Sequence, residues 1–508
     1  MSPHTPFART LLWLLAAMTT ASAAQLHIRV VDESARPLWT RVEVRGAAGR
    51  MYHPPDAILD RTTGNRFGGE PWYQGSFVVH GECRLELAPG SYTVIAEHGL
   101  EYERAETKVQ VLEDRPAELA LTLRPWVRMR ERGWWSGDLH VHRTLEEMPA
   151  LALAEDIQLS VVFTMWNKRS LWRDRPLPAD PVLRLSPHHL ATILNAEDER
   201  GGGAWLLDSL HEPIDLAVDG RWFPAGVTFV RRARAQRRGR ASLPWFDSEK
   251  PIWWEVPVMM AIEPPDSLGV LHNHYCQYGI LDNEAWGRPR DQKAFPGREG
   301  FVGYCLSLYY RYLNLGLRLA PSAGSASGVL PNPVGYNRVY VRGAGELSVP
   351  EWYRAFREGP SFVTNGPILF FDVKGRGARK TATFEVLARA PLDRVELIAN
   401  GRLLQRFTPP PGAKTFRAEY SFDGSPYSWV AARCFLVPGA TIRLAHSSPV
   451  YLAGRWDARA DARFFLDWID DLVTQTRADA KRFRNAEERD QVLALYQQAR
   501  AFYQQRTR

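Results

Sequence analysis

Between Trp134 and Thr144 the chain reads WWSGDLHVHRT, and this stretch limits the possible folds more than any other. Asp138, His140 and His142 occupy alternate positions, with Leu139 and Val141 between them. On a strand successive side chains face opposite ways, so the acid and both imidazoles project together while the apolar pair turns into the core. A fold carrying such a strand must enclose a polar side against a packed one. Two converging imidazoles are natural ligands for zinc and similar ions, and a neighbouring carboxylate can ligate or fix the metal-binding tautomer. The plainer reading is a pair of hydrogen-bonded histidines in a barrel mouth.

The surrounding chain divides by pattern. Its 508 residues exceed one ordinary domain. From residue 24 to 128, short runs such as CRLELAPGSYTVIAEHG keep period two on both sides of Pro89-Gly90, which predicts a β-sandwich module. From 129 to 370, strand-like runs alternate with helical and irregular segments, as in an α/β unit with ligands at its strand ends. From 371 to 455 the pattern is β again, and Asn400-Gly401 between alternating apolar positions predicts a type I′ hairpin. The tail, 456–508, is helical: Phe465, Trp468, Ile469, Leu472 and Val473 share one face, and Asn485 precedes Glu488 at capping-box spacing.

Residues 1–23 read as a signal peptide, with Arg9, an apolar run from Leu11 to Met18 and Ala21-Ser22-Ala23. That run is shorter than the roughly 18 apolar residues of a membrane helix, so the expectation is an exported protein, periplasmic or extracellular, without an integral membrane segment. Four dispersed cysteines form no C-x-x-C pair. The net charge is +7, but RRARAQRRGR, residues 231–240, contributes six arginines, leaving about +1 elsewhere. This run reads as a solvated loop, or else an anion-binding patch. No aromatic residue interleaves with it, which argues against a nucleic-acid partner.

GDLHVHRT resembles the first motif of the PHP-type metallohydrolases, in their carbaryl hydrolase-like branch. The resemblance continues through NAEDERGGG, LGVLHNHY, PSAGSASGVLPNPVGYNRVYV and FVTNGP, in that order. It implies a distorted parallel β/α barrel with a metal site at its strand ends, flanked here by the β-sandwich modules and the helical tail. His140 and His142 match the family's first two ligands. In NAEDER, Glu197 is the first choice for the acidic ligand, then Asp198, then Glu199. In LHNH, His274 is favoured, with His272 as a second ligand. Two motifs depart from the family: Thr164-Met165-Trp166-Asn167 stands where an Asp and a His are usual, and Gly324-Ser325-Ala326-Ser327-Gly328 has lost another two ligands.

What remains suits one divalent ion, or two, with zinc, manganese and iron all open. Such an ion activates water for attack on an ester, carbamate or phosphoester. Asp198, Glu199 and an unligated His272 compete for the role of general base. Trp166, Ser325 and Ser327, at or beside the lost ligand positions, are candidates to line the substrate pocket, as is Arg338 for an anionic group. The 18 tryptophans, paired at Trp134-Trp135 and Trp253-Trp254, suit a small molecule or a glycan. Two other classes stay open: a non-catalytic glycan- or ligand-binding protein on a degenerate barrel, and a surface protein assembled through its tail. His446 is expected to be a buried, satisfied histidine.

Overall fold

The computed structural model describes residues 23–61, 73–113, 115–216, 218–239, 243–343 and 345–508. All of the expected leader but Ala23 lies outside them. The described chain is mixed α/β, dominated by several sheets, with seven α-helices among the described residues.

Near the N-terminus, a three-stranded sheet (Glu82–Leu87, Ala24–Val31, Ala117–Thr122) faces a larger one that includes Trp39–Arg45 and Gly90–Glu97. Leu26, Ile28, Val42, Val44, Phe77 and Val94 fill the space between them. Pro89-Gly90 therefore joins two sheets instead of closing a hairpin. Leu85 and Leu87 still point inward from one sheet, and Tyr92 and Val94 from the other.

In the middle unit, Trp134–Val141 is buried along its whole length. It pairs in parallel with Leu159–Val162 and antiparallel with Arg338–Arg342. A second, seven-stranded sheet runs from Arg169–Ser170 through Met165–Trp166, Ala196–Arg200, Gly203–Asp208, Trp245–Ser248 and Ser267–Leu271 to Ala320–Ala323. Its far end reaches back to the first sheet through a parallel bridge between Val141 and Ser327. Gly324 allows this approach, because a Cβ there would lie 2.4 Å from the Cβ of His140.

The boundary expected at residue 370 is crossed by hydrogen bonds. Arg338–Arg342 pairs with Ser361–Thr364, which pairs with Leu444–Ser447. One sheet thus joins the middle and C-terminal units. A three-stranded sheet (Ile368–Lys374, Arg379–Leu387, Thr415–Asp423) covers the C-terminal part, burying Ala382, Phe384 and Val386 against Val395, Leu397 and Val430. The predicted hairpin is present: Ala399 pairs with Arg402, and Asn400 and Gly401 take φ of 47° and 79°.

The tail forms helices Arg459–Ala478 and Ala486–Gln505, the second capped by Asn485 Oδ1 accepting from Glu488 N–H at 2.9 Å. The expected apolar face is buried, and Trp468 donates to Trp254 O while Tyr503 donates to Pro257 O. At about 1.5–3 kcal/mol per large buried side chain, this face is satisfied within the chain. The arginine run is also reassigned. Its first part ends helix Gly226–Ala235, and Arg231 and Arg234 pair with Glu263 while Arg237 pairs with Asp266. No described helix is long and apolar enough to cross a membrane.

Candidate metal centre

Strand alternation delivers the first two ligands as expected. His140 is the penultimate residue of the buried strand, and just beyond its end the N–H of His142 donates to Ser327 O at 2.8 Å. The two Nε2 atoms lie 2.9 Å apart. On Ala196–Arg200 alternation selects Glu197, whose oxygens approach His140 Nε2 at 3.4 Å and His142 Nε2 at 3.0 Å. A tetrahedral ion with bonds of about 2.0–2.1 Å sets its ligand atoms about 3.3 Å apart. These three side chains bring their donor atoms close to that spacing.

Glu249, just beyond strand Trp245–Ser248, completes the inner group. Its Oε1 lies 3.3 Å from His140 Nδ1, and its other oxygen accepts from Lys250. Sequence reading missed both residues. Asp247 and Glu249 alternate at the end of an apolar strand just as His140 and His142 do, and that was the available signal. Glu197, Glu199 and Glu249 form a second group whose ligand atoms all lie within 4.8 Å of one another. Glu197 Oε2 and Glu249 Oε1 are buried without a well-formed hydrogen bond, as carboxylate oxygens arranged for a cation would be. The donor set therefore fits a divalent metal ion.

The electrostatics agree. Burial opposes a charge on His140, but Glu197 and Glu249 overrule it and raise its pKa well above the ordinary value. Burial works against ionised Glu197 too, yet His140 and His142 bring it down to about 2. Glu199 goes the other way: burial, then the charges of Glu197 and Glu249, push it up to about 8. Its Oε2 accepts from Trp166 Nε1 at 3.1 Å, and the Trp166 ring leans on His142 with centroids 4.7 Å apart. Trp166 thus walls the cluster on the side of His142.

The other expected site residues lie elsewhere. Asp198 faces the opposite side of its strand, held by Arg200 through two bonds of 2.6 Å. His272 and His274 join neither group among the described residues. The strand ends at Leu271 and the chain turns, with Tyr275 N–H donating to His272 O, so no common strand face carries the two rings. His272 Nε2 sits 3.6 Å from Cys305 Sγ, and His274 stacks on Phe301 with Nδ1 at Leu281 O.

Ser325 donates to Asp138 and Ser327 accepts from Arg143, so both hydroxyls tie the framework together and neither is directed at a ligand. Asp138 also accepts from the N–H groups of His140, Ser325 and Gly335, and it supports the strand. Arg338 is buried against Gly335 O and Glu155 O, away from the cluster. His446 is buried and satisfied as expected, between Tyr310 OH and Ser447 O. The four cysteines are all free thiols.

Compared with protein-family models and with curated proteins, the sequence matches none.

Proposed function

We propose that this chain is an exported, metal-dependent hydrolase on a distorted barrel of the PHP type, acting on an ester, carbamate or phosphoester. The observation that carries this reading is the convergence of His140 Nε2, His142 Nε2 and the Glu197 carboxylate at ligand spacing. Support for the barrel comes from the parallel pairs in both sheets and from the bridge that draws them together. The leader-like N-terminus supports export.

His140, His142 and Glu197 would hold one ion, with zinc, manganese and iron all suited to such donors. When bound, a divalent ion lowers the pKa of water and polarises the bond under attack. Glu249 orients the His140 ring through Nδ1, and Lys250 holds Glu249 in place. Glu199, protonated near neutral pH, is placed to give its proton to the leaving group. Glu197, Glu199 and Glu249 offer only oxygens, a set suited to a harder second ion; with that ion bound, Glu199 would be a ligand instead of the proton donor.

A second reading, a ligand- or glycan-binding protein, draws on Trp286. This ring is 49% exposed, stacks on Trp253 at 5.0 Å and donates to Arg200 O, next to Glu199. Such a platform suits sugar or aryl rings in either reading. The test is a panel of aryl esters, aryl carbamates and aryl phosphodiesters. Turnover that a chelator abolishes and added metal restores is expected. Chelator-insensitive turnover, or glycan binding alone with no turnover, would overturn the hydrolase reading.

A further inference from the structure

A small pit opens where the N-terminal sheets, the middle unit and the C-terminal β region meet. Its lining carries four arginines, Arg41, Arg338, Arg389 and Arg443, but only two carboxylates, Glu97 and Glu155. Arg41 engages both carboxylates, at 2.7 and 2.6 Å. Arg389 donates to Tyr102 O and comes no nearer than 4.0 Å to Glu97. Arg338 donates to two backbone carbonyls and lies against the Tyr340 hydroxyl. Among the described residues, neither Arg338 nor Arg443 has a carboxylate oxygen within ion-pair distance; Glu155, Asp156 and Glu101 feel the charge of Arg338 from farther away.

Three buried lining groups lack well-formed hydrogen bonds: Arg338 Nη1, the Tyr336 hydroxyl, which lies beside Thr441 and Arg443, and Gln277 Oε1. Two of these are donors, and an amide flip turns the third into one. A guanidinium cannot shed its proton, so four arginines facing only Glu97 and Glu155 across the lining leave an excess of positive charge that a bound anion would offset. Burial holds Arg389 below its ordinary pKa; Glu97 opposes that and the like charge of Arg443 adds to it. The pit holds about 40 Å³, against the roughly 10–15 Å³ one water needs on the same scale. That is room for one small anion or a few waters.

We propose that this pit binds a small inorganic anion, which neutralises Arg338, Arg389 and Arg443 and clamps the three regions together. The clamp reaches the strand that carries His140. Arg338 donates to Gly335 O, Gly335 N–H donates to Asp138, and Asp138 also accepts from His140 N–H.

The test is thermal unfolding of the full chain at fixed ionic strength, with inorganic phosphate or bromide replacing a bulky anion. A saturable rise in Tm is expected, and Arg443→Gln should raise the half-saturating concentration about tenfold, the loss of one charge-assisted hydrogen bond. Tyr336→Phe, a milder change should Arg443→Gln not fold, should raise it less. Arg417→Gln, on a different and exposed groove, should leave it unchanged. Crystals soaked in bromide should show an anomalous peak in the pit. Saturation by phosphate but not bromide identifies an oxyanion, and the reverse a halide; either supports the site. A Tm independent of both, a response equal in wild type and variants, or a pit holding only water in crystals soaked with the anion that raises Tm would overturn it.

Discussion

The chain contains two H-x-H sequences in apolar surroundings, and they end differently. His140 lies in its strand and His142 just beyond the end, bonded to Ser327, and their Nε2 atoms meet 2.9 Å apart over Glu197. His272 and His274 follow a strand that stops at Leu271, and the turn sends one ring to Cys305 and the other to Leu281 O. Their charges diverge accordingly. The carboxylates of Glu197 and Glu249 pull the pKa of His140 well above its ordinary value, whereas burial lowers that of His274 to about 3. Residue spacing becomes ligand geometry only where the strand continues and a carboxylate waits opposite.

This contrast can be broken or sharpened by substitution. The largest effect expected is catalytic: Glu199→Gln removes the proton donor beside the first pair and should lower turnover about 10²–10⁴-fold with metal content unchanged. Equal activity in the variant would remove Glu199 from the chemistry. Next is Asp138→Ala, which leaves the N–H groups of His140, Ser325 and Gly335 without their acceptor. It should cost about 3–5 kcal/mol in denaturant unfolding, and a loss below about 1 kcal/mol would show that the strand needs no such anchor.

The smallest effect concerns the second pair. His274 has a folded pKa of about 3, below its unfolded value. Between the two values the unfolded chain binds more protons, so this group makes stability rise with pH by about 1.4 kcal/mol per unit. That contribution is fully present above about pH 6.5 and is lost on acidification. His274→Gln lacks it, so the stability gap between wild type and variant should shift in the variant's favour as pH falls from 6.5 to 5. Parallel curves would contradict a neutral, buried His274.

Much of this contrast was legible in the sequence, with identifiable limits. Period two put His140 and His142 on one face and let only one of Glu197 and Asp198 join them, and Glu197 is the one that does, because alternation survives in any continuous strand. The same rule failed at His274, since nothing in SLGVLHNHY marks where the strand gives way to a turn. The roles expected of Ser325, Ser327 and Arg338 rested on their proximity to a motif in the chain. Burial instead commits them to Asp138, Arg143 and backbone carbonyls. Glu249 went unread because its partner His140 lies more than a hundred residues away, and Lys250 because its role is to hold Glu249. The shared sheet across residue 370 likewise depends on long-range pairing that local pattern does not carry.

The central claim is that the first pair holds a metal and the second does not. Metal analysis of the purified chain and two variants tests it directly. About one ion per chain is predicted for wild type and for His274→Ala, and under about a tenth for His140→Ala. Stoichiometric metal lost in His274→Ala but kept in His140→Ala, or no metal in any of the three, would contradict the account.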